Sequence, residues 1–264
     1  MGPLETLQEI IDKGKRIVFF GGAGVSTASG IPDFRGDNGL FQRNVDVTPG
    51  EPSTRATAAP VRYSDDYRQK FGELTPEMIL STSFFHLHPK AFFEFYREYM
   101  VHPAAEPNAA HRFIAELEKT GRFRGIVTQN IDGLHQKAGS QRVYELHGSV
   151  LRNYCTRCGK FHSAEFVKEA GGVPRCGCGG IVKPDVVLYE ESLDSNTIEA
   201  AVSAIAAADL LIVAGTSLTV YPAAGLIDYY RGKRLVLINR DETPYDYRAN
   251  LVFHDSLGTI FSLL

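Results

Sequence analysis

Four cysteines lie close together in the chain and form two pairs. Cys155 and Cys158 make a Cys-x-x-Cys pair, and Cys176 and Cys178 make a Cys-x-Cys pair after a gap of 17 residues. Two turns with this spacing can each supply two thiolates to a tetrahedral zinc ion. Because cysteine fills all four positions, no ligand place remains for a catalytic water. We therefore predict a structural zinc site, with metal-free thiols or a disulfide as the alternative.

A glycine-rich loop directly follows the strand-like run 16–20. Residues 21–26 have the sequence Gly-Gly-Ala-Gly-Val-Ser, a turn whose backbone N–H groups can hold a pyrophosphate at the start of a helix. The usual dinucleotide fingerprint has a third glycine where this chain has Thr27, and no clear acidic strand end follows about 20 residues later. The loop therefore predicts phosphate binding, and a tight turn without a ligand remains the alternative.

An aromatic and a basic residue come shortly after the loop. Phe34 and Arg35 end the stretch Ser-Gly-Ile-Pro-Asp-Phe-Arg. A ring at this place can cover a nicotinamide ribose, and a guanidinium can neutralise phosphate. These residue types favour chemistry at a glycosidic bond over redox chemistry.

Polar residues end two successive strand-like runs. Residues 128–132 are Thr-Gln-Asn-Ile-Asp, and residues 145–148 are Glu-Leu-His-Gly. In open parallel sheets, ligands bind outside the carboxyl ends of the strands, so these side chains should converge on the glycine-rich loop. Taken singly, Asn130 or Asp132 is more often a cap or a turn former, and His147 a structural histidine. Taken together, they indicate a catalytic site.

The elements that must position these residues alternate between helix and strand. Apolar spacing predicts a first helix that ends at Gly14 and further helices at 89–101 and 108–120. The last of these has Asn108 as its cap and Gly121 just beyond its end. Short apolar runs predict strands at 16–20, 125–128, 143–146, 186–189, 210–214 and 235–238. This alternation predicts an α/β fold with a Rossmann-like parallel sheet and helices on both faces.

Two stretches interrupt the alternation. Residues 45–76 are rich in Pro, Thr, Ala and charge, which predicts a mobile excursion with some helix. Residues 154–180 contain all four cysteines and are predicted to form a small insert held together by the metal, called the zinc insert below. We therefore expect two domains, of which the first is discontinuous. The Rossmann-like domain that carries the glycine-rich loop takes residues 1–44, 86–150 and 183–264, and a small zinc-ribbon and helical domain takes residues 45–85 and 151–182.

Composition excludes several classes of partner. The 28 basic and 31 acidic residues give a net charge of −3 without a basic block, so nucleic acid is not expected as a partner. No stretch approaches the roughly 20 apolar residues of a membrane span, and no signal peptide is evident. We expect a cytoplasmic monomer without a membrane partner.

The chain resembles the sirtuin family over nearly its whole length. Six ordered motifs carry the resemblance: Gly-Ala-Gly-Val-Ser at 22–26, Gly-Ile-Pro-Asp-Phe-Arg at 30–35, Gln-Asn-Ile-Asp at 129–132, His-Gly at 147–148, Gly-Thr-Ser at 215–217, and Asn239. The details are most similar to bacterial members of the undifferentiated class. The resemblance implies an NAD-dependent protein-lysine deacetylase that moves the acyl group of N6-acyl-lysine to ADP-ribose and releases nicotinamide and O-acetyl-ADP-ribose.

The resemblance also implies roles for the strand-end residues. Phe34, Ile131 and Asp132 would hold the nicotinamide, with Phe34 keeping water from the reactive face. His147 would take a ribose hydroxyl proton after nicotinamide has left, and Asn130 would be the second catalytic residue. The further cofactor contacts implied by the family are Ala23, Gly24, Ser26, Thr27 and Arg35 at the phosphates and ribose, Gln129 with Asn130 at the ribose and a water, Thr216, Ser217 and Asn239 at the adenosine half, and Ser256 and Leu257 at the adenine.

Residues 183–191 resemble the family's peptide-docking segment, where an extended substrate pairs with an enzyme strand and the acyl-lysine enters an apolar tunnel. Val187 and Tyr189 are the candidate substrate contacts, and an ordinary buried strand is the alternative. Glu190 stands where the family often has glycine. We expect its charge at the rim to favour substrates with basic residues beside the lysine.

The acyl preference is addressed by one further motif. Relatives that prefer succinyl or malonyl lysine use a Tyr and, three residues later, an Arg. Here Tyr96 and Tyr99 align with those two places, which predicts deacetylation over desuccinylation, although the adjacent Arg97 leaves the preference open.

Two other functions remain compatible with the sequence. A mono-ADP-ribosyltransferase or NAD glycohydrolase would use the same pocket, but His147 argues against pure transfer because deacylation needs that base. A non-catalytic NAD sensor whose zinc ribbon contacts a partner would bind NAD tightly without releasing nicotinamide.

Overall fold

The computed structural model describes residues 2–33 and 65–264, without the side chains of residues 65 and 66. The α-helices of this part are α1 (Pro3–Lys13), α2 (Asp65–Phe71), α3 (Pro76–Ile79), α4 (Thr82–Leu87), α5 (Pro89–Phe95), α6 (Ala109–Lys119), α7 (Leu134–Lys137), α8 (Ala164–Glu169), α9 (Ser195–Ala207) and α10 (Leu257–Ser262). The strands are β1 (Ile17–Gly21), β2 (Phe123–Thr128), β3 (Val143–Glu145), β4 (Gly148–Cys155), β5 (Phe161–Ser163), β6 (Val182–Val186), β7 (Leu210–Ala214), β8 (Arg234–Ile238) and β9 (Leu251–Phe253). Helix α5 continues as the π-helical turn Tyr96–Met100, and 3-10 turns span Ala23–Val25, Thr27–Ser29, Ala223–Tyr229 and Asp246–Arg248.

Six strands form a parallel sheet in the order β3-β2-β1-β7-β8-β9. The chain runs outward from β1 in one direction through β2 and β3, and in the other through β7, β8 and β9. Strand order therefore reverses between β1 and β7, which is where ligands bind in such sheets. The predicted parallel α/β fold is confirmed.

Successive side chains of the central strands enter opposite cores. Phe19 of β1 packs with α1, α6 and α10, whereas its neighbour Phe20 packs with α9 and the turn Ala223–Tyr229. The same alternation holds in β7, where Ile212 joins the first core and Val213 the second. Since both faces are covered, these strands need apolar residues at every position, which explains their unbroken apolar runs.

Helix α6 begins and ends where its sequence predicts. The Asn108 side chain accepts hydrogen bonds from the N–H groups of Ala110 and His111, which satisfies two of the free donors at the helix start. Gly121, just beyond the helix, has a φ of 72°, a left-handed conformation that glycine adopts readily. Helix α1 likewise ends at Lys13, directly before Gly14.

The second sheet is small and antiparallel, in the order β5-β4-β6. Its core contains Val150 and Val182 together with aromatic residues from α2, α4 and α5, such as Phe71, Phe85 and Phe92. The predicted parallel-sheet strand 186–189 is wrong, because Val186 ends β6 and pairs antiparallel with Gly148. A short apolar run does not reveal which sheet will bury it.

The division into two domains at the boundaries given above stays a prediction. Among the described residues, no helix combines the length and the apolar character required to cross a membrane.

Candidate active site

A cleft of about 480 Å³ lies at the carboxyl ends of the parallel strands. The register places Gly21 of β1 beside Thr128 of β2 and Ala214 of β7, so the residues that follow these strands meet at one edge. The volume of the cleft is within the range found for ligand-binding sites. The predicted residues that line it are Ala23, Gly24, Ser26, Thr27, Gln129, Asn130, Ile131, Asp132, His147, Val187, Tyr189, Thr216, Ser217, Asn239, Ser256 and Leu257.

The glycine-rich loop packs directly against the turn after β7. The Gly24 N–H donates to the Gly215 carbonyl at 2.9 Å, and a Cβ on Gly24 would lie 2.7 Å from Gly215 Cα. Gly215 has a φ of 59°, and a Cβ there would lie 2.5 Å from the Val25 nitrogen. Glycine is thus required on both sides of this contact, which sets the floor of the cleft.

Side chains from two strand ends form a buried network in the cleft. Asn130 Nδ2 donates to Ser26 Oγ at 3.0 Å, and that hydroxyl donates to Asp132 Oδ2 at 2.6 Å. The other oxygen, Asp132 Oδ1, accepts from the Leu134 N–H at the start of α7 at 2.8 Å. The glycine-rich loop and the β2 end therefore hold one another in fixed geometry, since each polar group limits the rotamers of the next.

His147 lies across the same cleft and is bound through one ring nitrogen. Its Nδ1 is 3.0 Å from the Gln129 carbonyl oxygen. A carbonyl can only accept, so Nδ1 carries the proton and Nε2 keeps the lone pair. Burial lowers the pKa of His147, and the bond to Gln129 acts in the opposite direction. The ring is consequently poised as a neutral base. The Gln129 side chain in turn donates to Thr216 Oγ1 at 3.0 Å, which links the β2 and β7 ends.

Asn108, expected only as a helix cap, also fastens the glycine-rich loop. Its Nδ2 donates to the Val25 carbonyl at 2.8 Å and to Ser29 Oγ at 2.9 Å, while its oxygen caps α6. The capping signal was visible in the sequence. The second role depends on where α6 packs, which sequence spacing does not give.

Two buried histidines lie near Asp132 and are not among the residues that line the cleft. His111 and His135 are almost wholly buried, and their ring centroids are 4.8 Å apart. Burial lowers the pKa of His111 to about 4, against the opposing influence of Asp132. Burial and the neighbouring His111 lower the pKa of His135 to about 3. Both rings are therefore neutral at physiological pH. Sequence analysis did not single out either residue.

The four cysteines converge on one point of the small sheet. Their sulfur atoms all lie within 4.8 Å of one another, and neighbouring sulfurs are 3.4 to 3.7 Å apart. Those distances exclude a disulfide and approach the roughly 3.8 Å edge of a tetrahedron with Zn–S bonds near 2.3 Å. The residues present therefore fit a structural zinc ion.

The short Cys-x-Cys pair is accommodated by the glycines after it. Gly177, the residue inside the pair, is not required to be glycine, because a Cβ there would meet open space and its φ is not in the left-handed region. Gly179 has a φ of 85°, and a Cβ on Gly180 would lie 2.7 Å from Cys155 Sγ. The positions that need glycine therefore lie after the second cysteine pair, at Gly179 and Gly180.

The segment after β6 passes alongside the cleft, which Val187, Leu188 and Tyr189 line. The Val187 N–H donates to the His147 carbonyl at 3.0 Å. Tyr189 pairs with the chain before α4, donating to the Leu80 carbonyl at 3.0 Å and accepting from the Thr82 N–H at 3.1 Å. Tyr189 is itself exposed. The candidate peptide-docking residues thus connect His147 to α4.

The acyl-recognition motif falls partly inside and partly outside the cleft. Tyr96 is buried in the small core, whereas Tyr99 lines the cleft. The Arg97 guanidinium instead donates to the Gly172 carbonyl at 2.9 Å and lies over the Phe93 ring. It anchors the zinc insert to the turn after α5, and it is not among the residues that line the cleft.

Phe34 and Arg35 lie outside the described residues. The cleft also contains residues that sequence analysis did not predict, namely Leu80, Met100, His102, Leu193, Val220, Tyr221, Pro222, Arg240, Asp241 and Asp255. Arg240 and Asp241 directly follow Asn239 at the end of β8, so the strand-end rule used for β2 would have found them. No comparable signal marks the others.

Fold and site together define a class of protein, an α/β protein of the Rossmann type with a four-cysteine insert. A family model described as Sir2 family matches residues 22–65 and 62–222. The chain belongs to the Sir2 family.

Relatives and solved structures agree with this membership. The chain is 53% identical over 259 residues to the NAD-dependent protein deacetylase of Clostridium perfringens, covering 97% of this chain and 96% of the relative. A structure of Sir2 with a deacetylated p53 peptide and 3′-O-acetyl ADP ribose superposes with a TM-score of 0.81 at 33% identity, covering 99% of this chain and 96% of that one. A structure of Sir2 with a p53 peptide and NAD⁺ has a TM-score of 0.79 at 34% identity, covering 100% and 97%.

Proposed function

We propose that this chain is an NAD-dependent protein-lysine deacetylase. The observation that carries the proposal is His147, whose free Nε2 shares one cleft with the network of Ser26, Asn130 and Asp132. The relative named above is an NAD-dependent protein deacetylase, and the solved Sir2 structures include an NAD⁺ complex and one with an acetylated ADP-ribose. The expected products are deacetylated lysine, nicotinamide and O-acetyl-ADP-ribose.

The glycines at the bottom of the cleft and the polar residues at the strand ends suit the binding of a dinucleotide. The close contact of Gly24 and Gly215 leaves the loop without side chains where a phosphate would approach. When NAD is bound, cleavage of its nicotinamide bond supplies the ADP-ribose that accepts the acetyl group. Thr216, Ser217 and Asn239 would hold the adenosine half, with Ser256 and Leu257 at the adenine, and Ala23 and Thr27 beside the phosphates.

The residues of this chain would then act on the substrate in fixed positions. Asp132, held by Ser26 and the Leu134 N–H, would accept a hydrogen bond from the nicotinamide carboxamide, with Ile131 against the ring. Asn130, tied to Ser26, would orient the ribose and a water together with Gln129. His147 would remove a ribose hydroxyl proton through Nε2 and keep its orientation through the Gln129 carbonyl.

The acyl group favoured by this site is acetyl. Recognition of a succinyl or malonyl carboxylate needs a cation in the acyl tunnel. Arg97, the neighbouring candidate, is engaged by the carbonyls of Val167 and Gly172 in the zinc insert. Acetyl, propionyl and succinyl versions of one peptide should therefore rank with acetyl well ahead of succinyl. Equal rates on acetyl and succinyl peptides would contradict this preference.

Mass spectrometry of the products from NAD and an acetyl-lysine peptide tests the function. O-acetyl-ADP-ribose with equimolar nicotinamide is the expected result. ADP-ribose attached to protein, or free ADP-ribose without peptide deacetylation, would instead assign a transferase or a glycohydrolase. Tight NAD binding without nicotinamide release would assign a sensor.

We propose the cytoplasm as the location and a monomer as the working form. Four clustered cysteines without a disulfide suit a reducing compartment and a zinc site. Light scattering of the purified chain measures the oligomeric state, and fractionation of cells measures the location.

A further inference from the structure

Glu190 adopts a backbone conformation that is unfavourable for its residue type. Its φ is 76°, in the left-handed region, and Leu218 is the only other non-glycine residue with a positive φ in the part of the chain that the structure describes. A side chain with a Cβ is disfavoured there, and such strain persists only where surrounding contacts impose it. Residues 188–191 form a turn, closed by the Glu191 N–H on the Leu188 carbonyl at 3.0 Å, in which Glu190 takes the third position. The positive φ at that position favours glycine, so contacts of the Glu190 side chain are expected to offset its strain.

The Glu190 carboxylate is bound to the first turn of α4. Its Oε2 accepts from Ser83 Oγ at 2.7 Å and from the Ser83 N–H at 2.9 Å. These two bonds, the hydroxyl first, lower the pKa of Glu190. The Ser83 N–H is one of the helix-start donors that have no partner within the helix, and Glu190 supplies one. Ser81 does the same for the Phe84 N–H.

The residues on either side of Glu190 are fixed by further hydrogen bonds. Tyr189 pairs with Leu80 and Thr82, and Glu191 Oε2 accepts from the Leu188 N–H at 2.9 Å and from Lys183 Nζ at 3.1 Å. At the other end, the Val187 N–H donates to the His147 carbonyl. The segment 187–191 is thus held between His147 and α4 and folds into a turn at 188–191, and the Glu190 carboxylate binds that turn to Ser83 of α4.

We propose that Glu190 is a positioning residue for the acyl-lysine substrate. Its carboxylate, bound to Ser83, holds the turn 188–191 against α4 and thereby fixes residues 187–189, which line the cleft, where the acyl-lysine substrate would bind. This inference rests on the proposed deacetylase function. The role expected from the sequence, in which the Glu190 charge attracts basic residues of the substrate, stays a prediction, because Ser83 binds only one of the two carboxylate oxygens.

Steady-state kinetics on an acetyl-lysine peptide test the inference. Glu190→Ala removes the acceptor and should raise the peptide KM about fivefold, with kcat and the KM for NAD within about twofold of the parent chain. Ser83→Ala removes one of the two donors and should have a smaller effect in the same direction. The double variant should be no worse than Glu190→Ala alone, because both changes break one contact. Additive effects would contradict the inference.

Glu190→Gln is the matched control, since it keeps an oxygen acceptor and loses the charge. We expect its peptide KM to stay within about twofold of the parent value on peptides with basic or acidic flanks. If Glu190→Gln instead loses a preference for basic flanks as completely as Glu190→Ala does, the charge is what matters and the positioning role is wrong. A Glu190→Ala variant with an unchanged peptide KM would also overturn it.

Hydrogen exchange separates this inference from the proposed function. Without any substrate, the amides of Val187 and Tyr189 should exchange faster in Glu190→Ala than in the parent chain or in Glu190→Gln. Unchanged exchange overturns the inference whether or not the chain deacetylates peptides. Absence of deacetylation by the parent chain, with exchange behaving as expected, would count against the proposed function alone.

Discussion

At the scale of single residues, the chemistry of the cleft depends on the environment of His147. Its Nδ1 donates to the Gln129 carbonyl, so the proton-accepting atom is Nε2, and burial keeps the ring neutral by lowering its pKa. A base must be unprotonated to act. The geometry therefore fixes the acting nitrogen, and the lowered pKa favours its unprotonated form at neutral pH.

Replacing His147 by alanine should separate the two halves of the reaction. Deacetylation should fall by about a hundredfold to ten-thousandfold, the usual contribution of a positioned base, while some nicotinamide exchange survives because it precedes the proton transfer. Radiolabelled nicotinamide exchange and product chromatography measure the two activities. Survival of both at the parent level would contradict the assignment.

The pH profile of the parent chain gives an independent check on His147. A lowered pKa leaves the ring neutral below its ordinary value of about 6.5, so the acid limb of kcat/KM should lie below that value. Activity should stay near its maximum from neutral pH down to the lowered pKa of His147 and decrease at lower pH. An acid limb above pH 7 would show that another group, or a raised pKa, controls the reaction.

At the scale of elements, the contact between the glycine-rich loop and the turn after β7 fixes the floor of the cleft. Gly215→Ala would combine a positive φ with a Cβ only 2.5 Å from the Val25 nitrogen. We expect about 2 to 4 kcal/mol of lost stability and a raised KM for NAD, because the loop must move. Thermal unfolding and steady-state kinetics measure the two effects.

Gly139→Ala serves as the matched control for that prediction. Gly139 also has a positive φ, of 109°, but a Cβ there would meet open space. Its loss of stability should reflect backbone strain alone and be smaller, with the KM for NAD unchanged. Equal effects of both substitutions would show that the close contact at Gly215 does not matter.

The zinc insert is a second element whose stability can be measured. Four thiolates without another strong constraint in this turn should depend on the metal for their arrangement. Chelation with verified zinc loss should unfold the insert and, through Arg97 and the small core, lower the melting temperature and the activity. Full activity and an unchanged melting curve after zinc removal would refute a structural role.

At the scale of the whole molecule, the pair His111 and His135 makes stability depend on pH. Their folded pKa values of about 4 and about 3 lie below the unfolded value of about 6.5, so below pH 6.5 the unfolded chain binds more protons. Stability is complete above pH 6.5 and falls as the pH decreases. Between pH 6.5 and 5, the loss should reach about 2 kcal/mol for each histidine.

Denaturant unfolding of His135→Leu across this pH range tests the contribution. The variant should show a flatter decline than the parent chain, with zinc content held equal in both. His86→Gln, at an exposed position in α4, should leave the decline unchanged. A parallel decline in the parent chain and His135→Leu would show that His135 does not contribute.

The amino-acid sequence by itself determined several elements of the parallel sheet and the polar residues that follow its strands. Unbroken apolar runs specified β1, β7 and β8, the Asn108 cap and Gly121 specified α6, and two cysteine pairs specified a metal site, because these signals depend on neighbours in the chain. The polar residues after β2 and β3 could likewise be assigned to one edge of a parallel sheet from the sequence alone.

Only the tertiary structure decided contacts between distant parts of the chain. Val186 joins the antiparallel sheet, Asn108 reaches the glycine-rich loop, and Arg97 turns toward the zinc insert. Glu190 binds Ser83 across 107 positions of sequence. Each of these contacts depends on how the helices and strands pack after they form. The spacing of residues along the chain does not show which distant side chain or carbonyl a residue will contact.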